Sequence, residues 1–309
     1  MRYVIENDKL KATIDSHGAE LVSLIKKDTN EEYIWSGVRF WKRHSPVLFP
    51  FVGNVSDGKY RVGDETYEMG QHGFARDMEF ECIHDEEPDK VLFKLTYNEE
   101  TLKKYPYRFE LEIAYVLIDN QLKVGWKVSN EEDEEMHFMI GAHPAFNCPP
   151  RKVGDWILTA TDEDVEKNPT LKSEDRTGCF VNFHTDMPIK YNLCEGKLLG
   201  HFNIEMDAED GYLEIDEHTF DRDALIIEHD QTHEVSLTNK EKEPFVTVKF
   251  EEPLVGIWSP TGADVPFVCI EPWFGRTDRV GFSGDISQRE YEQSVSRGER
   301  FRSSYTIIV

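Results

Sequence analysis

The sequence has no apolar run approaching the roughly 18–20 residues that a membrane-spanning helix needs. Its opening residues, Met1-Arg2-Tyr3-Val4-Ile5-Glu6-Asn7-Asp8, lack the apolar centre of a secretory signal. Positive charge is scarce: 35 Lys and Arg stand against 60 Asp and Glu in 309 residues, a formal charge of −25. Such a chain repels a phosphate backbone instead of neutralising it, which argues against a nucleic-acid partner. An anionic membrane surface is disfavoured by the same repulsion. Cysteines are few and scattered: Cys82, Cys148, Cys179, Cys194 and Cys269 are odd in number and never spaced Cys-x-x-Cys. This argues against a disulfide framework or a thiolate zinc centre, and predicts reduced, mostly buried thiols in a cytoplasmic protein. There is no βαβ rhythm, no internal repeat and no Pro/Gly/Ser-rich linker.

What is present is aromatic and alternating. The chain holds 19 Phe, 12 Tyr and 6 Trp, enough to fill one large core or two small ones and too many for a disordered chain. Leu10, Ala12 and Ile14 alternate with polar residues, as do Val91–Tyr97, Leu122–Val128 and Val246–Phe250. A period of two marks strands with one buried and one wet face. Phe109–Ile118 is more continuously apolar and is expected to be a strand covered on both faces. Asp57-Gly58 and Gly63-Asp64 bracket a short hairpin, and Asp119-Asn120 separates two strands. The acidic run Glu131–Glu135 reads as a solvated loop. Helical signals are limited to a single turn over Asn98–Lys104 and one short helix over Ser287–Arg297. These features argue against a doubly wound parallel sheet. They predict an all-β fold, a large antiparallel β-sandwich or barrel forming a single domain over residues 1–309.

Three segments interrupt the alternation: Gln71–Asp77, Gly141–Asn147 and Ile270–Asp278. Each sets a titratable residue (His72, His143 or Glu271) among glycine, proline and aromatic residues. Glycine and proline fix local backbone geometry, and aromatic side chains can wall the apolar faces of a sugar ring. Glu271 lies within the apolar stretch Val265–Phe274, where a carboxylate must be partnered or have a raised pKa. A lone histidine beside glycine is often a turn residue, so His72 and His143 carry less weight individually. Brought together, the three would supply a general acid, a general base and a hydrogen-bond donor. His17, His44, His84, His184, His201, His229 and His233 sit in polar or ordinary contexts and read as surface or structural residues.

In their order along the chain, these segments resemble the aldose 1-epimerase (galactose mutarotase-like) family, in its short bacterial branch. The resemblance rests on His72-Gly73-Phe74-Ala75-Arg76, Ala142-His143-Pro144-Ala145-Phe146 and Glu271-Pro272-Trp273 followed by Gly275. Gly18-Ala19-Glu20-Leu21, Tyr33-Ile34-Trp35, Trp41, Pro46–Gly53 and Gly256-Ile257-Trp258-Ser259 extend it over nearly the whole chain. It implies a galactose mutarotase-like supersandwich, a large antiparallel β-sandwich holding a sugar in an open cleft on one sheet. The implied reaction interconverts the α and β anomers of a free hexose without cofactor or metal. By this resemblance Glu271 is the base on the C1 hydroxyl. His143 is the acid toward the ring oxygen, with a pKa near neutrality, and His72 is a hydrogen-bond donor. Asp223, with Asp221 as the alternative, binds sugar hydroxyls; Arg76, Asn54, Trp273 and Phe146 complete the expected substrate contacts. Many relatives carry arginine after the glycine of the first site loop, whereas here Gly53 is followed by the shorter, uncharged Asn54. Arg76 is the candidate replacement donor.

The expected partner is a small sugar, free or phosphorylated, and the expected assembly is a monomer or homodimer. A hexose-phosphate mutarotase would need a basic cluster, for which Arg43, Arg76, Arg108 and Arg276 are candidates. A non-catalytic carbohydrate-binding module on the same fold is the alternative outside enzymes. A metal enzyme built on His72, His143 and Glu271 lacks any closely spaced ligand pair. A glycosidase needs two flanking carboxylates, and only Glu271 has a convincing context.

Overall fold

Leu10–Asp15 pairs antiparallel with Arg2–Glu6 on one side and Glu20–Lys26 on the other, its alternate side chains buried. In the computed structural model, which describes residues 1–168, 175–206, 208–262 and 265–309, these strands form one edge of a ten-stranded sheet. The sheet continues through Glu31–Ile34 and Ala145–Lys152 to Phe267–Phe274, then to Ile140–Ala142 and Val47–Leu48. Leu254–Trp258 and Leu225–Ile227 add to it beside Phe267–Phe274. Phe267–Phe274 is therefore a hub, with Cys269 opposite Ala145, Glu271 opposite Gly256 and Trp273 opposite Gly141.

A second sheet has nine strands in the order Tyr212–Glu214, Phe180–Asn182, Glu234–Thr238, Pro244–Lys249, Arg300–Ile308, Gln121–Asn130, Phe109–Ile118, Lys90–Thr96 and Glu81–His84. Every adjacent pair in it is antiparallel. One apolar cluster, running from Ile5 to Val309 in sequence, packs between the two sheets. Each large side chain buried there contributes about 1.5–3 kcal/mol relative to exposure. Aromatic contacts join the layers, as where Phe49 meets Phe109 with ring centroids 5.1 Å apart.

Phe109–Ile118 departs from expectation. Phe109, Leu111, Ile113, Tyr115 and Leu117 are buried, but the alternate positions are only half-buried and Ile118 is exposed. The second face is wet because it carries Glu110 and Glu112, which meet the Lys127 ammonium at 3.5 and 2.5 Å. The helical reading of Ser287–Arg297 also fails. A single 3-10 turn, Ile286–Gln288, gives way to a strand, Gln293–Val295, paired with Met136–Phe138. Its apolar stripe is too thin to bury one helix face, whereas as a strand it buries Val295 and exposes Ser294.

Glu99–Lys104 is the expected short helix. The Asn98 side chain accepts the Glu100 and Thr101 amides at 2.9 Å, and Thr101 Oγ1 accepts the Asn98 N–H at 2.8 Å. Lys59–Val62 and Glu65–Glu68 form the expected hairpin across Gly63-Asp64. All five cysteines are free; Cys148, Cys179 and Cys269 are buried, while Cys82 and Cys194 are partly exposed. Among the described residues, no helix is long and apolar enough to cross a membrane.

Candidate active site

Alternation along Phe267–Phe274 sorts its side chains between two faces. Val268 and Ile270 join the core between the sheets, whereas Phe267 and Cys269 join a separate small cluster with Trp35 and Ala145. Glu271 follows Cys269 by two residues and shares that second face. Its cross-strand partner is Gly256, and that of Trp273 is Gly141. Both glycines make room for the Trp273 indole. A Cβ at Gly256 would lie 2.3 Å from Cη2, and one at Gly141 2.5 Å from Cδ1.

His143 sits where Pro144 separates Ile140–Ala142 from Ala145–Lys152, and its N–H donates to the Pro46 carbonyl at 3.1 Å. Trp41 stacks on its imidazole at 4.7 Å between centroids, and Trp258 meets it edge-on at 5.4 Å. His143 Nε2 lies 3.3 Å from Glu271 Oε2. His72 approaches from a third segment, its ring centroid 5.6 Å from that of His143. Its φ of 65° and the φ of 71° at Gly73 mark a tight left-handed turn. Only glycine fits the second position, since a Cβ there would lie 2.2 Å from the Phe49 carbonyl oxygen. The Gly53 N–H donates to His72 Nδ1 at 3.0 Å, which leaves the proton of the neutral ring on Nε2.

These groups line a cavity of about 210 Å³, together with Asn54, Gln71, Arg76, Lys197, Asp223, Thr277 and the three tryptophans Trp41, Trp258 and Trp273. Asp223 lies on the wall, whereas Asp221 is exposed and bound to His218 at 2.9 Å. Arg76 donates through Nη2 to the Gln71 carbonyl at 2.8 Å. Asn54 donates to the Lys197 carbonyl at 3.3 Å, and the Thr277 hydroxyl donates to the same carbonyl at 2.8 Å. This pins the small hairpin of Cys194–Glu195 and Leu198–Leu199 at the rim. The Lys197 side chain is exposed there, and no carboxylate among the described residues pairs with it.

One expected contact is misplaced. Phe146 is fully buried and belongs to the core between the sheets, off the cavity wall. It alternates with Ala145, which packs in the cluster on the other face, so the strand's parity turns it away from a ligand. The wall is completed instead by Trp41 and Trp258. The four arginines do not assemble as a group either. Arg76 lines the cavity and Arg43 pairs with nearby Asp77 at 2.8 Å. Arg108 meets Glu132 at 3.4 Å, and buried Arg276 is held by Glu228 at 2.6 Å and by Glu290. Gln71 and Thr277 lie inside two of the interrupting segments but were not singled out there, and Lys197 gave no signal in sequence, because it joins the site through a hairpin turn.

Burial sets the electrostatics. It pushes His143 down to about 3, helped by the positive charges of Arg76 and Arg43. His72 is held well below the usual histidine range, first by burial and then by His143. Glu271 is raised well above the carboxylate range by burial and by Asp223, with the Trp273 indole pulling the other way. His143 is thus not the near-neutral acid expected from sequence. The 3.3 Å contact between His143 and Glu271 admits an ion pair or a neutral pair, and desolvation favours the neutral one. The pair shares one proton, resting on Glu271. The sequence-based metal triad does not form, since His72 Nδ1 is committed to Gly53. Among the described residues, the donors that do converge are His143, Cys269 and Glu271.

Comparison with known proteins agrees with this fold. "Protein LacX, chromosomal" of Lactococcus lactis subsp. lactis is 28% identical over 320 aligned positions, spanning 100% of this chain and 99% of that protein. A galactose mutarotase related enzyme from Lactobacillus acidophilus superposes with a TM-score of 0.86 at 32% identity, over 100% of this chain and 97% of the other. A galactose mutarotase-like protein from Lactobacillus casei ATCC 334 gives 0.85 at 29% identity, over 100% and 99%. The family model for aldose 1-epimerase matches residues 1–293, a span that includes all three interrupting segments and the whole ten-stranded sheet; this chain belongs to the aldose 1-epimerase family.

Proposed function

We propose that the protein is a mutarotase that interconverts the α and β anomers of a hexose. The observation that carries this reading is the buried Glu271–His143 contact of 3.3 Å, opening onto a cavity walled by three tryptophans. Moving the shared proton from Glu271 to His143 creates a carboxylate beside an imidazolium, a base and an acid at once. The carboxylate takes the proton of the C1 hydroxyl while the imidazolium protonates the ring oxygen. The bond between C1 and the ring oxygen breaks, leaving the open-chain aldehyde. Rotation about C1–C2 presents the other carbonyl face, and reclosure runs both transfers backwards. The pair gives one proton and receives one, so it returns to its starting state. Each transfer of this kind contributes about 10²–10⁴-fold.

His72 Nε2–H is the donor toward the ring-oxygen side. Asp223, Arg76 and Asn54 orient the hydroxyls, and Trp273 forms part of the apolar wall. The free thiols favour a reducing compartment, the cytoplasm. Mutarotation of freshly dissolved α-glucose and α-galactose, followed by polarimetry or proton NMR, tests the reading. The native protein accelerates anomer exchange above the spontaneous rate, and Glu271→Gln loses that acceleration while retaining sugar binding. Binding without acceleration in the native protein would support a non-catalytic carbohydrate module instead.

A second reading has its own observation. Lys197 stands at the rim of the cavity that Arg76 also lines, and among the described residues no carboxylate pairs with it, in a chain of net charge −25. Such local positive charge fits a phosphorylated hexose. Turnover of a hexose 6-phosphate that exceeds that of the free hexose, and falls as salt rises, would favour it.

A further inference from the structure

Two groups of the cavity wall, His143 and Glu271, belong with buried Cys269 to a donor set that acid–base chemistry does not use in full. The nearest ligand atoms of His143, Cys269 and Glu271 all lie within 4.8 Å of one another. Cys269 and Glu271 are two residues apart on Phe267–Phe274 and so project from the same face of one rigid strand. His143 faces them from the neighbouring chain segment, since Ala145, two residues on, pairs with Cys269. All three are at least nine-tenths buried: His143 is 7% exposed, Glu271 1% and Cys269 0%. Glu271 Oε2 faces His143 Nε2 at 3.3 Å, already the separation of two ligands on one tetrahedral ion.

We propose that this cluster is a binding site for a divalent transition ion of the Zn²⁺ type, which blocks the cavity's proton-transfer pair when bound. A nitrogen, a sulfur and a carboxylate oxygen form a mixed set suited to Zn²⁺ or Co²⁺, and poorly suited to Mg²⁺ or Ca²⁺, which require oxygen ligands. Bonds of about 2.0–2.3 Å in a tetrahedral site place donors about 3.3–3.8 Å apart, so the side chains must close by about 1 Å. His143 and Glu271 line the cavity, which gives the ion an entrance and leaves its fourth position for water. Binding displaces the proton shared by His143 and Glu271 and the proton of the Cys269 thiol. Two protons therefore leave for each ion bound at neutral pH, and the charge balances as one dication for two protons.

Co²⁺ titration of the purified full chain tests the site without reference to catalysis. The native protein develops a near-ultraviolet thiolate-to-cobalt charge-transfer band that saturates at one equivalent and is displaced by Zn²⁺. The band is absent from Cys269→Ala and from Cys269→Ser, the second of which keeps the residue's size and guards against misfolding of the first. The concentration of Zn²⁺ that half-inhibits mutarotation rises more than about tenfold in these variants, more than the least effect of losing a mere supporting contact to a metal ligand. No band in the native protein at millimolar Co²⁺ overturns the proposal. So does a band that survives both substitutions, which would assign the thiolate to another cysteine. A band that behaves as expected in a protein without mutarotation would keep the ion site and remove the enzyme reading.

Discussion

Gly256→Ala adds one methyl group beneath Trp273 and tests whether that indole shapes the cavity. Gly256 does not have a left-handed backbone, so alanine brings no conformational strain and acts through its Cβ alone. That atom would lie 2.3 Å from Cη2, 2.5 Å from Cζ2 and 3.0 Å from Cζ3 of Trp273. Carbon atoms at rest sit about 3.5–4.0 Å apart, so the ring must retreat by more than about 1 Å. The strand cannot yield in its place, because Gly256 is paired with Ile226 on one side and Glu271 on the other. Sliding along the sheet is no remedy, since the same ring already covers Gly141. The indole therefore lifts into the cavity, away from Glu271. Overpacking of this kind costs about 1–3 kcal/mol, and a displacement of about 1 Å in a positioned site costs on the order of 10²-fold in rate. Urea unfolding reads the first quantity and the rate of α-hexose mutarotation the second. In a Trp273→Leu background the added methyl has no ring to meet, so Gly256→Ala costs little there and the pair shows a coupling within the usual 0.5–3 kcal/mol of contacting residues. Wild-type stability and rate in Gly256→Ala, or an equal cost in both backgrounds, refutes the reasoning.

The pH profile follows from the shared proton. His143 takes a second proton only near 3 and Glu271 releases its own well above the carboxylate range. kcat/KM is therefore flat through pH 6.5 and falls on the alkaline side as the pair loses its proton; an inflection near 6.5 would contradict this assignment. Lys197→Ala raises KM for a hexose 6-phosphate about tenfold, the effect of roughly 1.4 kcal/mol, and leaves KM for the free hexose unchanged if phosphate is recognised at the rim. Equal effects on both sugars would remove Lys197 from phosphate recognition. Arg276→Met strands the buried Glu228 carboxylate and destabilises the protein by about 3–5 kcal/mol in urea unfolding, much of which Glu228→Leu restores in the double variant. A double variant no better than Arg276→Met would show that the loss is one of packing.

The strands were legible wherever polar and apolar residues alternate strictly, as at Leu10–Ile14, because that pattern has one solution with a dry and a wet face. Phe109–Ile118 was misjudged because Ala114 and Val116 sit on its wetter face and mask the period that Glu110 and Glu112 carry. Ser287–Arg297 was misjudged because a short, weakly apolar segment takes its form from its neighbour, here Met136–Phe138. Glu271 stood out because a carboxylate in an apolar run has few explanations. Phe146 could not be placed, since Pro144 interrupts the strand and parity cannot be counted across the break. The expected near-neutral His143 failed for a related reason: a pKa depends on burial by residues distant in the chain, here Trp41 and Trp258.

The sequence by itself determined the class of fold and the residue types able to move protons, because periodicity and chemistry are local properties of the chain. Tertiary structure alone decided that His143, Glu271 and Cys269 converge, that Trp41 and Trp258 wall the cavity, and that Lys197 reaches its rim. Those contacts join segments far apart in the chain, and their distances, burial and shared proton arise only when the sheets pack.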